Sequence, residues 1–289
     1  MSAAKRLVVC GGNGFLGSRI CKAAVSRGWD VTSISRSGEP QWQHVTSSPS
    51  PPSWAHRVSW ERADIFRPAQ YTSLLTNADY VIHTMGILLE ADYKGVISGR
   101  ESPLSGLQKA FSAHNSPNPL EREKKGQDPS PQPASASQLT YEMMNRDSAI
   151  LLAKEAVKAK VGAFGYISAA AGAPVLPSRY ITTKREAEQV IADEFPQMRS
   201  LFFRPPFMYD NSRAFTVPLA FATSAGSVFN QLTGGALSGF LGAAGVKPLK
   251  AGLVAEAVVE GLSEEEVSGT IEVPQMEELA TKSWRRTML

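Results

Sequence analysis

Apolar residues along this chain come either in short continuous runs or at three-to-four-residue spacings, and the two patterns alternate. Leu7-Val8-Val9-Cys10 is a buried-strand run, and Leu16, Ile20, Ala23 and Ala24 follow at helical spacing. The pattern predicts a second strand over Val31–Ser35, a third over Val58–Ile65, a fourth over Ala78–Gly86, a fifth over Ala163–Ser168 and a sixth over Ser200–Arg204, stopped by Pro205-Pro206. Helices are predicted through Met144, Ile150, Leu151, Leu152, Ala156 and Val157, and from about Arg179 to Glu194. Strands alternating with helices imply an α/β fold with a doubly wound parallel sheet.

Three stretches break the alternation. Ser37–Ser59, rich in Ser and Pro, reads as an exposed loop. Residues 94–139 form a proline-rich insertion whose later half cannot bury enough apolar surface to fold by itself; a lid and a partner-binding loop are both open readings. Ala214–Val246 holds no charged residue, but Pro218 and its glycines leave no run of the roughly 20 apolar residues a bilayer span needs. That stretch reads as short apolar helices. They form either the core of a small C-terminal lobe, over about 206–289, or a groove for a long hydrophobic ligand or a membrane contact.

Gly11-Gly12-Asn13-Gly14-Phe15-Leu16-Gly17 joins the first strand directly to the first helix. Strand, glycine turn and helix in that order make a dinucleotide-binding loop of the Rossmann type. Gly11 permits the tight turn, Gly14 lets a pyrophosphate approach the backbone, and Gly17 lets helix and strand pack closely. Asn13, Phe15 and Leu16 complete the loop, and the phosphates sit on the helix N-terminus. Ser35 and Arg36 end the second strand, where an acidic residue would hold ribose hydroxyls and an arginine pairs with a 2′-phosphate. NADP(H) is therefore favoured over NAD(H). Val58–Ile65 resembles the third strand of short-chain dehydrogenases, which implies that Asp64 and Ile65 border the adenine, with a capping or turn role for Asp64 as the plain alternative. Met85 and Gly86, at the end of the fourth strand, are placed beside the cofactor.

At 289 residues and 43% hydrophobic the chain can bury one large core. The net charge of +3 is too small to imply a nucleic-acid surface. Two cysteines, Cys10 and Cys21, suit a reduced compartment, and four histidines without ligand spacing give no metal site. No acidic residue precedes Asp30, whereas Lys5, Arg6, Arg19, Lys22 and Arg27 do. This basic, amphipathic start is similar to an organelle-targeting segment and equally reads as a solvated helix face.

Tyr180 and Lys184 stand four positions apart on one helical face after the fifth strand. That place resembles the one where short-chain dehydrogenases carry their catalytic pair: the phenol transfers a proton while a nicotinamide moves a hydride, and a lysine ammonium together with the oxidised nicotinamide favours the phenolate. Ser168 is the candidate for orienting a substrate oxygen, with a turn role as the alternative. Arg204–Tyr209, with Pro205 and Phe207, resembles the Arg-Pro segment that closes over the nicotinamide in extended short-chain dehydrogenases. Tyr180 and Lys184 also serve a reading in which cofactor is bound without turnover.

The glycine loop, Ser35-Arg36-Ser37-Gly38, Ala63-Asp64-Ile65-Phe66, Gly86-Ile87-Leu88-Leu89-Glu90, Pro117-Asn118-Pro119-Leu120, Thr140-Tyr141-Glu142-Met143-Met144-Asn145 and Tyr180–Glu188 resemble the fungal mitochondrial short-chain-dehydrogenase-like proteins of coenzyme Q (ubiquinone) biosynthesis. Those proteins are extended or atypical short-chain dehydrogenases, related to the NADPH-binding accessory subunit of respiratory complex I. The resemblance implies a mitochondrial protein on the matrix side of the inner membrane, associated with the coenzyme Q biosynthetic complex. It leaves three functional readings: an oxidoreductase on a polyprenylated quinone precursor, a noncatalytic scaffold stabilised by its nucleotide, and an unrelated soluble NADP-dependent reductase or epimerase.

Overall fold

The computed structural model describes residues 4–46, 48–86, 116–130, 140–170, 178–210 and 247–288. Its first strand, β1 (Arg6–Cys10), is an interior strand buried from Leu7 to Cys10 because helices cover both faces, as a parallel sheet requires. α1 (Phe15–Ser26) leaves the glycine turn, and β2 (Asp30–Ser35) pairs parallel with β1 from Arg6↔Asp30 to Cys10↔Ile34. After the short α2 (Trp42–Thr46), β3 (Val58–Arg62) adds outside β2, whereas β4 (Tyr80–His83) joins β1 on its other side.

α3 (Pro119–Lys124) precedes a π-helical turn over Glu142–Asp147, which runs straight into α4 (Ser148–Lys158). β5 (Ala163–Ile167), α5 (Ser178–Glu194) and β6 (Arg199–Phe203) extend the sheet outward from β4. β7 (Met208–Tyr209) and β8 (Leu249–Lys250) make a separate two-stranded pair. α6 (Ala251–Ser263), β9 (Gly269–Ile271) and α7 (Val273–Thr287) finish the described chain. The main sheet has seven parallel strands in the order β3-β2-β1-β4-β5-β6-β9. The order reverses between β1 and β4, so the crevice for a ligand lies above their carboxyl ends.

One apolar layer packs α1, α6 and α7 against Leu7, Val9, Ile82 and Phe203. The opposite layer packs α4 and α5 against Val8, Val81, Phe164 and Phe202. Six strands and the helix from Ser178 fall within two or three residues of the sequence-based expectation. The π-turn was not foreseen, because the apolar spacing across it reads as ordinary α-helix.

Two expectations need correction, and the insertion is in part placed. The stretch Ser37–Ser59 is not simply an exposed loop. Trp42 meets Trp54 and Trp60 edge-on, with ring centroids 5.5 and 5.6 Å apart, and Trp42, Val45 and Ala55 are buried beneath them. Such aromatic pairs add about 0.5–1.5 kcal/mol each beyond burial. Within the insertion, α3 is an ordered element: Asn118 and Glu121 form a reciprocal capping box at its start, and the Arg122 guanidinium reaches the buried Asp147 carboxylate at 2.8 Å. It leans on the main body and has no core of its own. The expected lobe over about 206–289 fails for residues 247–288, because β9 is the seventh strand and α6 buries Val254, Ala255, Val258, Val259 and Leu262 in the main core.

The apolar stretch 214–246 lies outside the described residues. Among the described residues no helix is long and apolar enough to cross a membrane. The basic face of α1 is partly consumed internally: Arg19 pairs with Asp210 at 2.6 Å and Arg27 with the buried Glu260, while Lys22 stays exposed.

Candidate functional site

Gly11 has φ +90°, a left-handed conformation that disfavours any residue with a Cβ, and its N–H donates to Ile34 O at 2.8 Å. A Cβ on Gly17 would stand 2.2 Å from Gly11 O, so α1 rests directly on the turn. Gly14 is exposed, and the nearest atom to a Cβ there would be Gly11 O at 3.1 Å. Gly12, to which the sequence reading gave no task, is just as constrained: its Cβ would meet Ser33 Oγ at 2.4 Å and Cys21 Sγ at 3.0 Å. That requirement belongs to a partner strand and has no local signal. No side chain caps Gly14 and the first turn of α1 has no acid, so this helix end favours an anion. Leu16 is buried in the core and offers only backbone, whereas Phe15 stacks under the Arg19 guanidinium at 4.4 Å.

The turn after β2 is held from both sides. Ser35 Oγ donates to Gly38 O at 2.9 Å, and Asn13 Nδ2 reaches from the glycine loop to Ser37 Oγ at 2.7 Å. Arg36 is exposed and makes no hydrogen bond or ion pair among the described residues. Asp64 is engaged as a turn residue: its Oδ1 accepts from Phe66 N at 3.1 Å and its N–H donates to Gln70 Oε1 at 2.8 Å. Ile65 is buried in the core, leaving its backbone as the part that can face an adenine. Met85 Sδ lies 3.3 Å from Cys10 Sγ, a thiol that burial pushes up to about 12.

The other half of the crevice gathers at Gly86. A Cβ there would stand 3.1 Å from Asn145 Oδ1 and 3.4 Å from Lys184 Nζ, so the glycine lets both groups approach the end of β4. Lys184 is buried, donates to Ile167 O at 2.9 Å, and lies 5.9 Å from the Tyr180 ring centroid. Burial brings its pKa down to about 8 against the opposing pull of Glu188. Tyr180 is half-buried and packs edge-on against Tyr141 at 6.1 Å; burial pushes its phenol up to about 12, opposed only by Arg185. In this arrangement Arg185, not Lys184, is the charge that opposes the rise. Asn145, missed as a site residue, comes from the π-turn, and Tyr166 OH donates to its freed carbonyl.

Ser168 is placed differently from its expected role. Its Oγ accepts from Arg185 at 2.8 Å, and the same guanidinium donates to Ala169 O and bonds Glu188. No hydrogen bond joins Ser168 to Tyr180. Glu188 also receives Arg204, which bonds Glu272 at 2.8 Å. Pro205 O accepts from Ala170 N at 2.9 Å and Phe207 O from Leu249 N at 3.1 Å, fixing the segment expected on the nicotinamide side.

Behind Lys184, His83 is fully buried. Ser148 Oγ gives its proton to Met144 O at 2.8 Å and therefore accepts from His83 Nε2 at 2.8 Å, leaving His83 Nδ1 as an acceptor without a partner among the described residues. Burial, helped by Lys184, brings this imidazole down to about 3. Farther along, Arg122, Asp147, Arg146, Glu186, Arg179 and Glu142 form a continuous ion-pair chain from α3 through the π-turn to the start of α5. A separate cavity of about 600 Å³, lined by Lys22, Val45, Trp54 and Glu256, contains none of the residues expected at the site.

Residues 7–92 match the model of the NAD dependent epimerase/dehydratase family. Over 233 residues the chain is 39% identical to MIOREX complex component 2 of Saccharomyces cerevisiae, covering 76% of this chain and 78% of that protein. ElxO with NADP bound is similar with a TM-score of 0.57 at 15% identity, over 93% of this chain and 98% of that one. UDP-glucuronic acid 4-epimerase from Bacillus cereus in complex with NAD gives 0.54 at 16% identity, over 93% and 78%. At those identities the two structures show the fold alone.

Proposed function

This chain belongs to the family of the yeast MIOREX complex component 2, within the epimerase/dehydratase fold, and on that premise we propose that it is an NADP(H)-binding component of a mitochondrial protein complex. The observation that carries the nucleotide is the Gly11–Gly17 turn, where Gly17 admits no side chain and the uncapped end of α1 favours an anion. The residues fit the group: Gly11, Asn13, Gly14, Phe15, Leu16 and Gly17 would cradle the pyrophosphate, and Met85, Gly86 and Lys184 would border the nicotinamide end. Arg36, exposed and without a protein partner among the described residues, supports NADP(H) over NAD(H). Membership of a complex is supported by the relative's name. The mitochondrial matrix, the inner-membrane surface and the coenzyme Q biosynthetic complex are supported by the sequence resemblance.

The nucleotide supplies, when bound, a nicotinamide able to exchange a hydride. A Tyr180 phenol held near 12 keeps its proton at neutral pH and acts as a donor, which suits reduction of a quinone or ketone oxygen better than oxidation of an alcohol. Lys184 fixes the end of β5 through Ile167 O and faces the tyrosine ring. The scaffold reading is favoured by one observation: Ser168, the expected substrate-orienting hydroxyl, is committed to Arg185.

Complementation separates the readings. A strain lacking this protein should be rescued by Tyr180→Phe but not by Gly14→Asp if the nucleotide is structural, and by neither if the protein is a reductase. Rescue by Gly14→Asp, with native mass spectrometry detecting no nucleotide on the purified chain, would overturn the proposal.

A further inference from the structure

Resting on that NADP(H) reading, we propose that Arg62 is a second specificity-determining residue, which with Arg36 grips the phosphate monoester that distinguishes NADP from NAD. Arg62 is the last residue of β3 and pairs in register with Ser35, so the sheet itself delivers its side chain to the turn that follows β2. Its Nε donates to Ser37 O at 3.2 Å. Its aliphatic stem fills the space beside Gly38, where a Cβ would stand 3.0 Å from Arg62 Cγ and where φ is +74°. Asn13 holds the opposite side of the same turn through Ser37 Oγ.

Two arginines thus stand at one four-residue turn, Arg36 within it and Arg62 against it, and both are exposed. Among the described residues no carboxylate forms an ion pair with either. Of the nearby acids, Glu39 bonds the Trp42 indole at 2.8 Å and Asp64 is occupied by Phe66 N. Like charges gathered without a counter-charge repel one another, and a dianionic phosphate relieves that repulsion while matching the planar donor edge of an arginine. Among the described residues Arg62 bonds only through its Nε, so its terminal nitrogens remain for such a ligand. The residue escaped the sequence reading because it is 26 positions from Arg36 and joins it only through the β2–β3 register.

Calorimetric titration of the full chain with NADPH and with NADH tests this, using native protein, Arg36→Ala, Arg62→Met, Arg62→Lys and the double variant Arg36→Ala with Arg62→Met. Methionine keeps a stem over Gly38 and removes the guanidinium. Arg62→Met should weaken NADPH by about tenfold to a hundredfold, the range of a charge-assisted bond, and leave NADH within about twofold. Arg62→Lys should recover part of the loss, and the double variant should fall short of the product of the single effects, because both groups act on one phosphate. Equal weakening of NADPH and NADH by Arg62→Met would make the residue a mere support of the turn and overturn the proposal. A native chain preferring NADPH through Arg36 alone overturns this inference and spares the reading beneath it. A native chain binding both nucleotides equally, or neither, overturns both.

Discussion

Around Gly11–Gly17 and Ser35–Gly38 the backbone is tightly determined, yet the polar groups that end there are left for something else: an uncapped helix end, an exposed Arg36 and the outer nitrogens of Arg62. Around Tyr180 and Lys184 the polar groups are instead spent on the protein. Lys184 holds Ile167 O, Ser168 is taken by Arg185, Asn145 O by Tyr166, and Glu188 by two arginines. The first region is organised for a ligand's charge, and the second carries its charges as internal fastening. Nucleotide binding is therefore the better-supported half of the function, and a substrate role for Ser168 would first require it to leave Arg185.

The largest effect should come from the fastened half. Asp147 is fully buried between Arg122 and Arg146, so Asp147→Asn leaves the Arg122 guanidinium without its carboxylate and should cost about 3–5 kcal/mol. Denaturant unfolding measures this, and a loss below 1 kcal/mol would mean that the ion-pair chain is not what holds the second region together. Gly17→Ala attacks the first region, since its Cβ would meet Gly11 O at 2.2 Å. It should cost about 3 kcal/mol through overpacking and abolish the rise in melting temperature that NADPH gives the native chain. A retained thermal shift would show that the turn tolerates displacement.

A pH effect comes next. His83 is neutral in the fold with its pKa brought down to about 3, whereas the unfolded chain takes up a proton below about 6.5. Stability from this group is thus full above pH 6.5 and falls as the pH drops toward 3, by about 1.4 kcal/mol per unit, or about 2 kcal/mol between pH 6.5 and 5. His83→Gln should flatten the dependence over that window, and parallel curves for variant and native protein would contradict it. The smallest effect is expected for Ser168→Ala. It removes one bond from Arg185, worth about 1 kcal/mol, and should leave nucleotide binding unchanged. Loss of complementation by this variant at unimpaired stability would return Ser168 to a substrate role and bring the two regions closer in kind.

The glycine loop was legible because its requirements are local: a turn with positive φ at Gly11 and a helix starting within four residues leave a compact signature. The strands were legible because helices on both faces demand continuous apolar runs, and Tyr180 and Lys184 because a four-residue step fixes a helical face. The three-tryptophan cluster was not, since Trp42, Trp54 and Trp60 lie in a Ser- and Pro-rich stretch and meet only when β3 docks beside β2. Nor was the seventh strand, a three-residue segment at Gly269–Ile271 too short to carry a period.

By itself, then, the sequence determined the alternating sheet, the phosphate turn and the helix bearing Tyr180 and Lys184, all of which depend on neighbours within a few residues. Tertiary structure alone decided how each side chain is used. The Arg62 bond to Ser37, the diversion of Ser168 to Arg185 and the neutral His83 arise from burial and from partners 17 or more positions away in the chain, and the shifts of Tyr180 and Lys184 arise chiefly from burial. Hydrogen bonding and desolvation act over a few ångströms of space, and no spacing along the chain encodes which distant residues the fold will bring that close.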